Sequence, residues 1–160
     1  MPIRISGMKQ LISAGLFGLI LWGNYSCNPA PKAIAYGTDS CYFCRMTIVD
    51  QQRAAEIVTL KGKVYKFDAV ECMVHSKGEI GTENIALYLC NTFNKPADLA
   101  DATTAGFLES EALPSPMGAN LTAFTNVEEA TMAMEEYGGK VYLWESLLTY
   151  LGGQNSLFEE

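Results

Sequence analysis

The chain has 160 residues, 49% of them hydrophobic, with five cysteines and 18 acidic against 11 basic side chains, for a net charge of −7. That balance argues against a nucleic-acid partner and against a charge-based hold on anionic lipid; it is compatible with a cation as cargo. The length gives room for one domain with a core of its own.

Arg4 and Lys9 form a basic start, and Leu11 to Trp22 is an almost unbroken apolar run, the layout of a bacterial export signal. The run breaks at Gly23-Asn24, short of the ~20 apolar residues that a membrane span needs. Ser26-Cys27 then sets a small residue before a cysteine, as bacterial lipoprotein cleavage sites do, although Asn24 stands where those sites usually carry an aliphatic residue. Residues 1–26 therefore read as a lipoprotein signal peptide and Cys27 as the lipidated residue. Cleavage nearby with Cys27 a free thiol, or an uncleaved anchor, are the alternatives. Residues 27–37, with the stiff stretch Asn28-Pro-Ala-Pro-Lys32, form a lipid-anchored linker. The expected location is exported, membrane-anchored and facing the periplasm. Residues 38–151 form the metal-binding domain and 152–160 a C-terminal tail.

Four further thiols follow: Cys41, Cys44, Cys72 and Cys90. Disulfide pairing is the default in an exported protein, but Cys41-Tyr-Phe-Cys44 has a spacing that suits joint ligation of one metal, or a redox-active pair, better than a staple. A thioredoxin-like pair opens a helix after a strand, whereas the β-branched run Thr47-Ile-Val49 favours extended chain. Met46 lies two residues beyond Cys44, and in extended chain such residues face the same side, so both sulfurs can reach one ion. Thiolate with thioether selects copper(I), while zinc seldom uses thioether.

Ala54 to Leu60 alternates as a strand, Lys61-Gly62 marks a tight turn, and Lys63 to Phe67 returns as its partner. Asp68 suits the cap of a helix over Ala69 to Lys77 that stops at Gly78. Cys72 and His75 lie at i and i+3 on one face of that helix. Ile85 to Cys90 is apolar and strand-like, with Cys90 in the core. Thr103 to Leu108 and Leu121 to Phe124 read as strands flanking Leu113-Pro-Ser-Pro-Met117-Gly-Ala-Asn120, a rigid loop in which Met117 is poorly placed to fill a core. Asn126 and Glu129 signal the start of a helix from Val127 to Tyr137, ended by Gly138-Gly139. Lys140 to Leu143 is strand-like, and Trp144 to Leu151 closes the chain as a short helix. The expected fold is α+β: two sequential strand-strand-helix-strand halves packed as one small domain, with a treble-clef-like first half.

Taken in order, Cys41-x-x-Cys44-x-Met46, Lys61-Gly-Lys-Val-Tyr-Lys-Phe-Asp68 leading to Glu71-Cys-Met73, Ser115-Pro-Met-Gly118, Ala123-Phe124, and Gly138-Gly-Lys-Val141 before Trp144 resemble the NosL family. Members are copper chaperones of nitrous oxide reductase maturation. The resemblance implies that Cys44, Met46 and Met117 belong to the metal site, with Cys41 beside them, and that the partners are a copper-receiving exported enzyme, nitrous oxide reductase, and its membrane assembly machinery. Residues 39–76 also resemble YHS or TRASH metal modules, in which a second cysteine pair sits at a helix start. Here Asp68 takes the first place of that pair and Cys72 the second, which makes Cys41, Cys44, Cys72 and His75 a competing site for zinc or copper.

Two function classes follow besides structural zinc. One is a copper(I) metallochaperone without turnover, and the other a thiol-disulfide oxidoreductase acting through Cys41 and Cys44. The enzyme needs an activated thiol, for which Arg45 is the obvious local cation, and Met46 has no part in disulfide exchange.

Overall fold

A computed structural model describes residues 28–155. The expected signal peptide over residues 1–26, the expected lipidation site Cys27 and the end of the tail lie outside the described residues.

Two antiparallel sheets carry the fold, each with a helix after its first hairpin. The first has strands β1 (Ala55–Thr59), β2 (Val64–Phe67), β3 (Ile85–Thr92) and β4 (Lys95–Asp101) in the order β2-β1-β3-β4, with α1 (Val70–Ile80) between β2 and β3. The second orders β5 (Gly106–Glu109), β6 (Leu121–Phe124) and β7 (Lys140–Tyr142) as β6-β5-β7, with α2 (Val127–Tyr137) before β7 and α3 (Trp144–Asn155) after it. No helix among the described residues is long and apolar enough to cross a membrane.

The β1–β2 hairpin turns at Lys61-Gly62 because Gly62 adopts φ +76, which its missing Cβ makes inexpensive. Its pairing sets Ala55 opposite Phe67 and Val58 opposite Val64. β1 is buried along its whole length, as a strand covered on both faces should be. One apolar core spans both sheets and includes Ile48, Ile57, Phe67, Met73, Cys90, Phe107, Trp144 and Leu147. A smaller cluster of Leu108, Leu113, Phe124, Ala130 and Ala133 lies under α2. Cys90 is fully buried in the core, and burial pushes its thiol up to about 12.

Several local expectations need correction. α1 runs past Gly78 to Ile80 and ends at Gly81, whose φ of +86 serves the stop. Its N-cap is Ala69, with no side-chain cap, so Asp68 does not act as one. The first half has a further strand, β4, hidden in the sequence by Pro96 and its acids. β4 is an edge strand, where a missing amide donor is tolerated. Residues Thr103 and Thr104 form a turn instead of opening β5, because Asp101 Oδ1 accepts from the Thr103 amide at 2.8 Å and its hydroxyl at 2.7 Å. Gly106 then begins β5 where a Cβ would come within 2.6 Å of Asn126 O, so α2 starts directly against this strand.

Candidate metal centre

Cys41 and Cys44 sit on a knuckle. The Cys41 amide donates to Met46 O at 2.8 Å, the Arg45 amide to Cys41 O at 3.0 Å, and Ser40 and Thr47 form an isolated antiparallel bridge. Closing so tight a ribbon puts Arg45 at φ +65, the left-handed region that usually favours glycine. Cys44 to Met46 is therefore not extended, and the i, i+2 same-face argument for these two sulfurs does not apply.

Contacts with β2 and α1 hold the knuckle in place. The Tyr42 amide donates to Lys66 O at 2.8 Å, and its ring packs edge-on against Tyr65 at 4.7 Å. Its hydroxyl donates to Glu79 Oε1 at 2.9 Å, while Phe43 stacks on His75 at 5.5 Å. Upstream, Lys66 Nζ reaches Asp39 Oδ2 at 2.6 Å and Ala33 O at 2.7 Å, tying the end of the linker to the same strand. The helix that receives these contacts carries Cys72 in its first turn.

The thiol sulfurs of Cys41, Cys44 and Cys72 consequently lie within 4.8 Å of one another. Metal–thiolate bonds are about 2.3 Å, so all three can meet on one ion. Cys41 and Cys72 are buried and Cys44 is partly exposed, which leaves the cluster open on one side. Neither Asp68 nor His75 joins this group.

Hydrogen bonds prepare the cluster for negative charge. The Cys72 thiol donates to Cys41, and the amides of Asp68 and Cys44 add to it; together these hold the Cys41 thiol well below its usual range against the opposing effect of burial. Cys72 moves up, first because its proton serves Cys41 and then because it is buried. Cys44 also moves up, chiefly through burial, although the Met46 amide works the other way. Among the three sulfurs, the hydrogen bonds thus favour negative charge at Cys41 over Cys44 and Cys72. Burial raises the Asp68 carboxyl and lowers the His75 imidazole, each shift working against its charged form.

Met46 and Met117 are 52% and 38% exposed, so neither serves as core filling, unlike the buried Met73. Met46 follows Cys44 on the knuckle. Met117 comes from the distant loop, which Ser115 ties to α1: its hydroxyl donates to Glu71 Oε1, next to Cys72 in the chain, and accepts from the Asn120 amide at 2.9 Å. The backbone signal for Cys72 was present in the sequence, as a helix-start cysteine after a Cys-x-x-Cys. Glu71 carried no such signal, since an acidic residue in a first helical turn is ordinary.

Residues 33–149 match the NosL family. Among solved structures, the crystal structure of the copper chaperone NosL from Shewanella denitrificans is similar in fold, with a TM-score of 0.62 at 21% identity over 74% of this chain and 95% of that one. No curated relative matches the chain.

Proposed function

The chain belongs to the NosL family, and from that premise we propose that it is a copper(I) metallochaperone, a carrier and not an enzyme. Anchored to the membrane by lipid on Cys27 and exported to the periplasmic side, it delivers copper to an exported copper enzyme, nitrous oxide reductase by family resemblance, in concert with that enzyme's membrane assembly machinery. The observation that carries this reading is the trio of thiol sulfurs within 4.8 Å, with Cys44 alone partly open to solvent. Soft thiolates favour copper(I).

In this reading Cys41, Cys44 and Cys72 form the core of the site, and the exposed thioethers of Met46 and Met117 supply neutral soft donors at its rim. A carrier must release its ion by ligand exchange, which requires an accessible coordination position. The partly exposed Cys44 and the rim methionines offer one, whereas a closed four-thiolate cage would not. Hydrogen bonds, first that from Cys72, lower the Cys41 thiol. Full burial of Cys41 keeps its sulfur from attacking another protein's disulfide, and burial raises the more accessible Cys44 thiol, the wrong direction for a nucleophile. These two facts argue against the oxidoreductase reading.

The test combines copper(I) competition against a chromogenic chelator with an insulin-reduction assay on the same preparation. The expected result is one tightly bound copper(I) per chain and negligible thiol exchange. Strong catalytic exchange without copper retention contradicts the assignment. Unfolding of the domain by a zinc chelator, with zinc displacing copper, points to structural zinc instead.

A further inference from the structure

We propose that Glu71 is a positioning residue that holds the Met117 loop against the thiol cluster, an inference that rests on the reading of Met117 as a copper donor. Glu71 is 2% exposed, and burying a carboxyl group is unfavourable unless its oxygens find partners. Two of its partners come from the loop: the Ser115 hydroxyl donates to Oε1 and the Ala119 amide also acts on the carboxylate, beside its own backbone amide and the charge of Arg53. These contacts lie on either side of Met117. No salt bridge reaches Glu71 among the described residues, and its Oε2 is buried without a hydrogen-bond partner.

The loop has its own geometry to keep. The Gly118 amide donates to Ser115 O at 3.0 Å, the Asn120 amide to Ser115 Oγ at 2.9 Å, and Gly118 and Asn120 have φ of +79 and +56. This ring of bonds shapes the loop, and Glu71 fixes where it stands. Because Glu71 and Cys72 are neighbours in the first turn of α1, one helical turn carries both a thiol donor and the pin for a thioether donor. The Met117 loop of the second half is thereby registered on the candidate site through Glu71.

The test is a double-mutant cycle on the full chain, read by copper(I) competition and by the sulfur content of the copper shell in X-ray absorption. Glu71→Ala is expected to weaken binding roughly tenfold, the lower range for loss of a group that orients a ligand. Met117→Leu is expected to weaken it equally, and the double variant no further. Glu71→Gln, which keeps an acceptor for Ser115 and Ala119, should bind like the parent. Where Glu71→Ala fails to fold by circular dichroism, Ser115→Ala breaks the same tie from the loop side and takes its place. Additive losses in the double variant overturn the positioning role while leaving Met117 as a donor. Parental binding by Met117→Leu overturns both.

Discussion

Helices α1 and α2 are each eleven residues long and each follows a hairpin, yet they begin in opposite ways. At α2 the Asn126 side chain accepts from the Glu129 amide at 2.9 Å, and Glu129 reaches back to the Thr125 amide at 3.2 Å, so side chains cap the helix start locally. At α1 the cap is Ala69 without any side-chain bond, and the first turn instead carries Glu71 and Cys72 into the site. The surroundings differ in the same sense. Among the described residues, Arg53 Nε, Glu56 Oε2, Asp68 Oδ1 and Glu71 Oε2 are buried without hydrogen-bond partners in the first half, with Ser76 Oγ and Thr92 Oγ1, whereas in the second half only the hydroxyls of Thr122 and Thr125 are. The unpartnered ionisable groups thus fall in the first half, which also holds the candidate ligands, and only hydroxyls go unpartnered in the second.

That contrast can be broken or sharpened by mutation. The largest effect belongs to the scaffold: Phe107→Ala removes a fully buried ring that packs with Trp144 at 6.1 Å and should destabilise the fold by about 3–5 kcal/mol in chemical denaturation. At temperatures where the variant remains folded, its copper affinity should be parental. Cys72→Ser should do the reverse, lowering copper(I) affinity roughly a hundredfold, about 2.7 kcal/mol, with little change in the stability of the metal-free protein. If Cys72→Ser binds like the parent, the site reduces to the knuckle and the methionines.

A smaller effect tests the capping difference directly. Asn126→Ala should cost about 1 kcal/mol of stability and leave metal binding unchanged. The smallest effect concerns the tie between linker and β2. The hydrogen bond from Lys66 holds the Asp39 carboxyl below its ordinary 3.8, followed by that from the Ala35 amide. A depressed carboxyl contributes stability above its unfolded value and loses it as pH falls through the folded value. Asp39→Asn should therefore cost less than about 1 kcal/mol at neutral pH, because the pair is solvent-screened. Its urea midpoint should merge with that of the parent as the pH falls below about 4.

Legibility in the sequence followed the same division. Asn126 with Glu129, the paired glycines after Tyr137 and the apolar alternation placed α2 and β6 at the residues the structure gives them. Lys61-Gly62 likewise located the first hairpin. The misses fall where tertiary partners override local preference: Arg45 takes a left-handed turn to close the knuckle, and β4 accepts Pro96 at an open edge. The Cys-x-x-Cys spacing pointed to shared ligation, but spacing alone left Cys72 with a second, competing site. Only the packing of the knuckle on α1 brings the third sulfur to the other two. Glu71 was hidden because its role depends on a loop 44 residues away.

The central claim is that three thiols from the knuckle and α1 hold one copper(I) ion, with thioether help from Met46 and Met117. X-ray absorption at the copper edge on the copper(I)-loaded protein tests it most directly. The expected result is a shell of sulfur donors alone, diminished in Cys41→Ser, Cys44→Ser and Cys72→Ser alike. A shell dominated by nitrogen or oxygen, or one unchanged when these thiols are replaced, would contradict it.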